Sequence, residues 1–447
     1  HPTPCKLESL LGETKRSYSP IPCVPERESY PASPVQARFY SIQKTEPESV
    51  AYNVPFCLKL EGDRSRMASV FNRVFAAHEA FRTGFAVEKG QVVQIIYPFA
   101  PISFPERALA EGELVTDALR DFIRPFRLEK APLARACVVT RGQEAWLLMD
   151  MHHSIVDGVS TRLISQEFNA LYSGKTVEKP RQYHDYSLWE AAQDRTVQKK
   201  FWEEALAGQL PKIQLPYEGN LTGEYEGVVL KKQMSPELTK AVQALARGTG
   251  TTEYMLLLAA VMVVLARYSG TEDVVVGSPA ANRLHRDTAG MVGMFVNTLL
   301  MRGHPRGAGS FTDLLEEVKA FTWKALEYQD YPFDRVVDYL RREKNYDENT
   351  FLPVMFSMQE PTKLVLHGED FRAETVEVST GEGKFDLAID VLTEAEGYVF
   401  SMDYRKDRLK EASVERFFCH VEQVLRAVSE DPSVKLGVGI KKTSDTR

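Results

Sequence analysis

The stretch from Ala145 to Ser160 constrains this chain more than any other. A strand-like run, Ala145 to Met151, leads into two adjacent histidines, His152 and His153, and then into an Asp157-Gly158 pair. A strand that delivers an imidazole to a turn places a general base on a rigid element. Side chains alternate along a strand, so the two rings point to opposite faces and at most one faces a given cavity. Residues 134–140 form another strand-like run, and Arg141-Gly142-Gln143-Glu144 between the two predicts a hairpin. Each part has an ordinary use as well: a histidine packs in a core, and Asp-Gly is a common turn. Together they are more specific. A carboxylate four residues after His153 can hold the turn shut, and the glycine beside it lets a backbone N–H approach a substrate.

At 447 residues the chain has room for two or three domains. Hydrophobic residues make up 43% and charged residues 26%, the balance of a globular protein with ample core. A net charge of −7 disfavours nucleic acid as a partner. Five cysteines with no C-x-x-C pair argue against a disulfide scaffold or a metal site and fit a reducing cytoplasm. The N-terminus lacks a signal layout. The most apolar run, Tyr254 to Leu265, is shorter than the roughly 20 residues a span needs, so it reads as a buried core helix and no membrane span is expected.

Residues 1–11 read as a short helix and 12–29, with Pro20, Pro22 and Pro25, as an extended linker. Globular sequence starts near Tyr30. A strand is predicted over 54–60, then a helix capped by Asp63 with its apolar stripe at Met67, Val70, Phe71, Val74 and Phe75. A helix over about 161–172 follows the histidines. The polar stretch 174–225 reads as an inter-domain connection. Beyond it come strands near 226–233, 273–277, 294–301, 352–358, 385–391 and 397–403, helices near 236–247, 252–268, 311–328 and 411–429, and an irregular segment over 278–292. Mixed helices and strands in this order predict an α/β fold with α+β layering.

Several catalytic patterns are missing. Without a G-x-S-x-G elbow, Ser160 is a poor nucleophile candidate. His78-Glu79 lacks the second histidine of a zinc site, and Gly381 to Lys384 lacks the first glycine and the hydroxyl of a phosphate loop. What remains is acid/base or positioning work on the histidine loop.

The pattern H-H-x-x-x-D-G resembles the acyltransferase group of chloramphenicol acetyltransferase, dihydrolipoyl acyltransferase cores and nonribosomal peptide synthetase condensation domains. Other motifs select the last. Tyr30 to Arg38, His78 to Phe85, Tyr183 to Trp189, Val292 to Leu299 and Tyr328 to Asp334 are similar to its further motifs and stand in the right order. The resemblance covers about residue 30 to the end. It departs at Val35, where the family has alanine, and around Asn345 to Asn349.

The resemblance implies two chloramphenicol acetyltransferase-like lobes in a V-shaped pseudo-dimer, an N-lobe over 30–180 and a C-lobe over 181–447. A floor loop at about 278–297 and a latch at about 375–395 would cross between them. Residues 1–11 resemble the tail of an upstream peptidyl carrier domain, joined by the 12–29 linker. The implied activity is amide bond formation. The α-amine of an acceptor aminoacyl-carrier attacks a donor thioester, of L configuration by the Asp157-Gly158-Val159-Ser160 stretch. His153 would be the catalytic histidine and Gly158 an N–H donor to the intermediate. His152, Asp157 and its partner Arg283 would be structural, whereas Arg82, Trp189 and Asn297 are explained by pairing and packing. No cofactor would be tightly bound, since phosphopantetheine thioesters arrive on partner carriers. Donor and acceptor carriers and a neighbouring adenylation domain are the expected partners, and a monomer is the expected state. The rival readings are an epimerization domain, a CoA-dependent acyltransferase of the same superfamily, and a non-catalytic carrier-docking platform.

Overall fold

The computed structural model describes residues 19–218, 226–346, 352–359, 364–376 and 383–437. The expected carrier tail at 1–11, the start of the linker, residues 347–349 and the middle of the latch window lie outside the described residues. The first half of the chain gives β1 (Tyr30–Pro31), α1 (Pro34–Thr45), β2 (Asn53–Gly62), α2 (Met67–Ala77), β3 (Thr83–Glu88), β4 (Gln91–Ile96), β5 (Glu106–Ala108), α3 (Val115–Phe122), β6 (Ala134–Arg141), β7 (Glu144–His152) and α4 (Gly158–Tyr172). Then come α5 (Tyr183–Ala191), α6 (Thr196–Ala205), β8 (Gly227–Gln233), α7 (Pro236–Thr249), α8 (Glu253–Ser269), β9 (Val274–Ala280), β10 (Asn297–Gly303), α9 (Phe311–Glu327) and α10 (Phe333–Lys344). The last elements are β11 (Val354–Gln359), β12 (Val365–His367), β13 (Phe371–Val376), β14 (Leu387–Glu394), β15 (Gly397–Arg405) and α11 (Glu411–Glu430).

Two six-stranded sheets organise this mixed α/β fold, ordered β12-β13-β2-β7-β6-β5 and β10-β9-β11-β14-β15-β8, with a small third sheet β1-β4-β3. In the first sheet β7 lies in the interior, paired antiparallel with β2 on one side and β6 on the other. Its hairpin with β6 closes through Gly142 and Gln143, with Arg141 opposite Glu144. Gly142 supplies the left-handed backbone (φ +59°) that a two-residue hairpin turn demands. Phe71, Phe75 and Phe168, from α2 and α4, pack with Leu147 and Met149 of β7 into one core. The strand that carries the histidines is thus fixed by ladders on both edges and by a core beneath it.

The second sheet packs on α8, whose residues Met255 to Ala266 are all buried. A helix apolar all round needs partners all round, and α7, α9, α11 and the sheet supply them. No single described helix is long and apolar enough to cross a membrane.

The two sheets share chain. Hairpin β12–β13 leaves the second half of the sequence and pairs with β2, Phe371 opposite Gly62 through Val376 opposite Cys57. Gly62 (φ +79°) must be glycine, because a Cβ there would lie 1.9 Å from the Asp370 carbonyl. This crossing sits at 365–376, ahead of the 375–395 window.

Three sequence expectations are corrected. The connection expected over 174–225 contains α5 and α6, which bury Tyr183, Tyr186 and Trp202. The irregular segment expected over 278–292 begins as the end of β9 and holds a single 3-10 turn, Arg286–Gly290. Asp63 does not cap α2. Its carboxylate accepts from the Ser65 N–H at 2.9 Å, and the helix starts at Met67 without a side-chain cap. The linker residues that are described are extended as expected, yet anchored. Ile21 is fully buried, its N–H donates to Asp287 at 2.8 Å, and Val24 N–H donates to Asp185 at 2.8 Å.

Candidate active site

The backbone at the end of β7 is held from both sides. His152 N–H donates to the Leu133 carbonyl at 2.9 Å, and His153 N–H to the Tyr52 carbonyl at 2.8 Å. The chain then turns, Ile155 N–H donating to the His152 carbonyl at 3.1 Å. The two rings that follow from this turn have different surroundings.

His152 is fully buried, with the rings of Phe39 and Phe126 edge-on at 6.2 and 6.0 Å. Its Nδ1 accepts the Ser154 N–H at 3.1 Å and lies 2.8 Å from Ser154 Oγ. The ring proton therefore belongs on Nε2, which has no hydrogen-bond partner among the described residues. Burial, with the charges of His153, Lys384 and Arg135 behind it, pushes its pKa down to about 3. The ring is a neutral spacer that shapes the turn.

His153 is partly exposed. Its Nδ1 lies 2.8 Å from the Val156 carbonyl, which can only accept, so Nδ1 carries the proton and donates. Nε2 then bears the lone pair, and it takes no hydrogen bond from a described residue. Burial pushes the pKa down to about 4, aided by the Lys384 ammonium and opposed by the Val156 carbonyl and Asp157. The ring is thus neutral, oriented by its backbone contact and open at the nitrogen that can take a proton.

Asp157 caps α4 and is buried. Its Oδ1 accepts from Ser160 N–H at 2.7 Å, Ser160 Oγ at 2.7 Å and Arg283 at 3.0 Å. Its Oδ2 accepts from Arg283 at 3.2 Å and Phe295 N–H at 3.2 Å. Five donated bonds consume the carboxylate, so it has nothing left with which to move a proton. Arg283 also donates to the Met291 carbonyl at 2.8 Å and to the Thr288 carbonyl, with its guanidinium 3.9 Å above the Phe295 ring. The segment 283–295 is thereby clamped onto the histidine loop.

Ser160 is the residue that sequence reasoning undervalued. Its Oγ lies within bonding distance of Asp157, of Arg283 (3.1 Å), and of both the N–H (3.0 Å) and the carbonyl (2.8 Å) of Gly293. Gly293 has a packing reason to be glycine, since a Cβ there would lie 1.9 Å from the Tyr183 ring. Tyr183 in turn contacts Ser33 Oγ at 2.9 Å and the Met294 carbonyl. Ser160→Ala is expected to cost about 1–3 kcal/mol, because it strands buried polar partners, and urea unfolding of the variant against the native chain measures it.

Gly158 is the first residue of α4 and is exposed, and a Cβ added there would meet no atom within 4 Å. Its backbone is not left-handed, so neither conformation nor protein packing demands glycine there. First-turn amides lack helical acceptors, and this N–H faces open space. Arg82 pairs with Glu79 at 2.8 Å, Trp189 lies against the His285 ring at 5.2 Å, and Asn297 bonds the Gln329 and Tyr331 carbonyls at 2.8 and 2.7 Å. Those three have packing and pairing duties. Among the described residues, no cluster of three or more His, Cys, Asp or Glu side chains could hold a metal ion.

A family model described as "Condensation domain" matches residues 26–440. The chain belongs to the condensation-domain family. Among curated relatives it is 34% identical to tyrocidine synthase 3 of Brevibacillus parabrevis, over 97% of this chain and 7% of that protein. It is 35% identical to bacitracin synthase 1 of Bacillus licheniformis (92% of this chain, 8% of that protein). To bacitracin synthase 3 of the same organism it is 34% identical (97% and 7%). The condensation domain thus spans only 7–8% of the length of each of these relatives. In fold it matches the X-domain from teicoplanin biosynthesis with a TM-score of 0.82, at 20% identity over 95% of this chain and 100% of that one. It matches a four-domain nonribosomal peptide synthetase bound to AMP and glycine at 0.81, with 21% identity over 95% of this chain and 35% of that one. The first condensation domain of the calcium-dependent antibiotic synthetase gives 0.75, with 18% identity over 92% and 98%. The two lobes fit the chloramphenicol acetyltransferase-like fold of these neighbours.

Proposed function

We propose that this condensation domain forms an amide bond between two carrier-borne groups within a nonribosomal peptide synthetase. The single observation that carries the reading is the state of His153, whose Nδ1 is fixed on the Val156 carbonyl while Nε2 is left unprotonated and open. In the reaction the acceptor's amine nitrogen attacks the donor's thioester carbon. Nε2 of His153 takes a proton from that nitrogen, the C–S bond breaks as the tetrahedral carbon collapses, and the departing thiolate receives the proton. The Gly158 N–H, at the positive end of α4, donates to the developing oxyanion. A thioester is already activated, so most of the catalysis is bringing two tethered reactants together, a contribution of up to about 7–11 kcal/mol.

Both substrates ride on phosphopantetheine arms of donor and acceptor carrier domains, next to an adenylation domain, in a cytoplasmic synthetase of the peptide-antibiotic kind. We assign the donor an L configuration from the stretch around Asp157-Gly158. The open space at Gly158 and the partly exposed His153 suit entry of such an arm. The test mixes the domain with one carrier loaded as a thioester donor and one as an aminoacyl acceptor, and follows the acceptor carrier by mass spectrometry. Transfer of the donor mass onto the acceptor supports the reading. Epimerised donor, transfer only from free CoA thioesters, or carrier binding without transfer would each replace it with a named rival.

The pH dependence follows from the histidine. His153 stays neutral above about pH 4, so falling pH stops the reaction first by protonating the amine, whose reference pKa is about 7.7–8.0. Single-turnover rates are expected to fall tenfold per pH unit below neutrality with a slope of one. An ordinary histidine of pKa about 6.5 would add a second proton and a slope of two below that pH. Rates measured from pH 5 to 9 separate the two.

A further inference from the structure

Lys384 lies on the segment that returns from hairpin β12–β13 to β14, and its ammonium stands 5.2 Å from the centroid of the Tyr52 ring. Tyr52 is the residue whose carbonyl accepts the His153 N–H at 2.8 Å. Its ring packs on Phe39 at 4.5 Å, and Phe39 packs on His153 at 5.7 Å. A cation from the second half of the chain is therefore seated on the same rings that frame the imidazole of the first. It faces the second sheet too, where its charge favours ionisation of Asp403 on β15.

The charged and titratable groups around His153 come from each element packed on it. Strand β7 gives His152, which is neutral and buried. The turn gives Asp157, whose charge is met by Arg283 at 3.0 Å. Behind β7, Arg135 on β6 acts on His152 and is paired with Asp150 at 2.8 Å. The returning segment gives Lys384, the cation that acts on both imidazoles. A like charge beside an imidazole disfavours its protonated form.

We infer that Lys384 is a positioning residue of the reaction, which places a positive charge beside Tyr52 so that His153 meets the amine unprotonated. This ties the proton-accepting state of the site to the seating of a segment that belongs to the other sheet. It rests on the reading of His153 as the group that takes the amine's proton. Lysine on its flexible stem reaches the ring face without a fixed hydrogen-bond geometry, so arginine can substitute for the charge.

The experiment titrates the histidine ring signals of the full chain by NMR, with nine histidines to resolve and His153 assigned by its loss in His153→Ala. In Lys384→Met the His153 midpoint is expected to rise by roughly half a pH unit or more. In Lys384→Arg it is expected to stay at the native value, and His420, on α11, is expected not to move in either variant. An unchanged His153 midpoint in a folded Lys384→Met protein overturns the inference, as does a rise that arginine does not reverse. The titration needs no carrier and no turnover, so its outcome stands apart from that of condensation assays. If His153 proves dispensable for amide formation while its midpoint still follows Lys384, the proposed function has failed and the electrostatic coupling has not.

Discussion

A folded His153→Ala protein is expected to form amide at least about 100-fold more slowly than the native chain in single turnover, the low end of what a positioned proton acceptor contributes. The loss does not reach zero, because two thioester arms brought to one place retain the advantage of proximity. The fold is expected to survive. The His153 side chain makes one hydrogen bond, to the Val156 carbonyl, and that carbonyl sits in a partly exposed turn where water can replace the ring. The stability change is then about 1 kcal/mol. His152→Ala is the informative control. It empties a buried ring position between Phe39 and Phe126 and removes the acceptor of the Ser154 N–H, so it strikes stability before chemistry. Thermal melts and quenched single-turnover rates on both variants give the comparison. A His153→Ala protein that melts like the native chain and condenses within threefold of its rate would remove this histidine from the mechanism.

Much of this site could be read along the chain, because local pattern specifies local geometry. Strand β7, its hairpin with β6 and the helix after the Asp-Gly pair all follow from alternation, turn chemistry and periodicity. The buried helix α8 follows from composition alone. Failures came where burial is supplied by distant partners. Helix α5 reads as polar because His184, Asp185 and Glu190 are charged or titratable, yet all three are buried. Their partners lie elsewhere: His184 pairs with Glu79 at 2.9 Å, and Asp185 accepts from Val24. Asp63 looks like a cap, but its N–H is drawn to the Asp370 carbonyl at 2.8 Å, from the hairpin that crosses between sheets. That contact sets where β2 ends and delays α2 to Met67. Ser160 is poor as a nucleophile by motif, and its structural work depends on Gly293, 133 positions away. Arg283, 126 positions from Asp157, was reachable only through the family resemblance. Nothing in spacing or composition would have joined them.

Asp157→Asn is expected to destabilise the chain by about 3–5 kcal/mol, the usual cost of removing one member of a buried ion pair. Asp157 is fully buried and the Arg283 side chain is 7% exposed, so an uncompensated guanidinium has little access to water. The amide makes matters worse than charge loss alone. Its NH2 group would face donors, since Ser160 N–H, Phe295 N–H and Arg283 all donate to the present carboxylate. Only one oxygen remains to accept where two did. Arg283→Ala is expected to cost less, toward the lower end of that range, because the carboxylate keeps Ser160 and Phe295 as donors. Arg283→Lys retains charge but cannot bridge Asp157 and the Met291 carbonyl at once, so it should fall between native and Arg283→Ala. The order native, Arg283→Lys, Arg283→Ala, Asp157→Asn, measured by denaturant midpoints, tests the clamp. Condensation separates it from proton transfer. If Asp157 only holds the histidine loop to segment 283–295, the pH profile of residual activity in the arginine variants keeps its native shape while its height drops. A carboxylate that moved protons would change the profile's slope when its partner is removed, and Asp157→Asn with native stability would mean that the ion pair does not hold these two segments together.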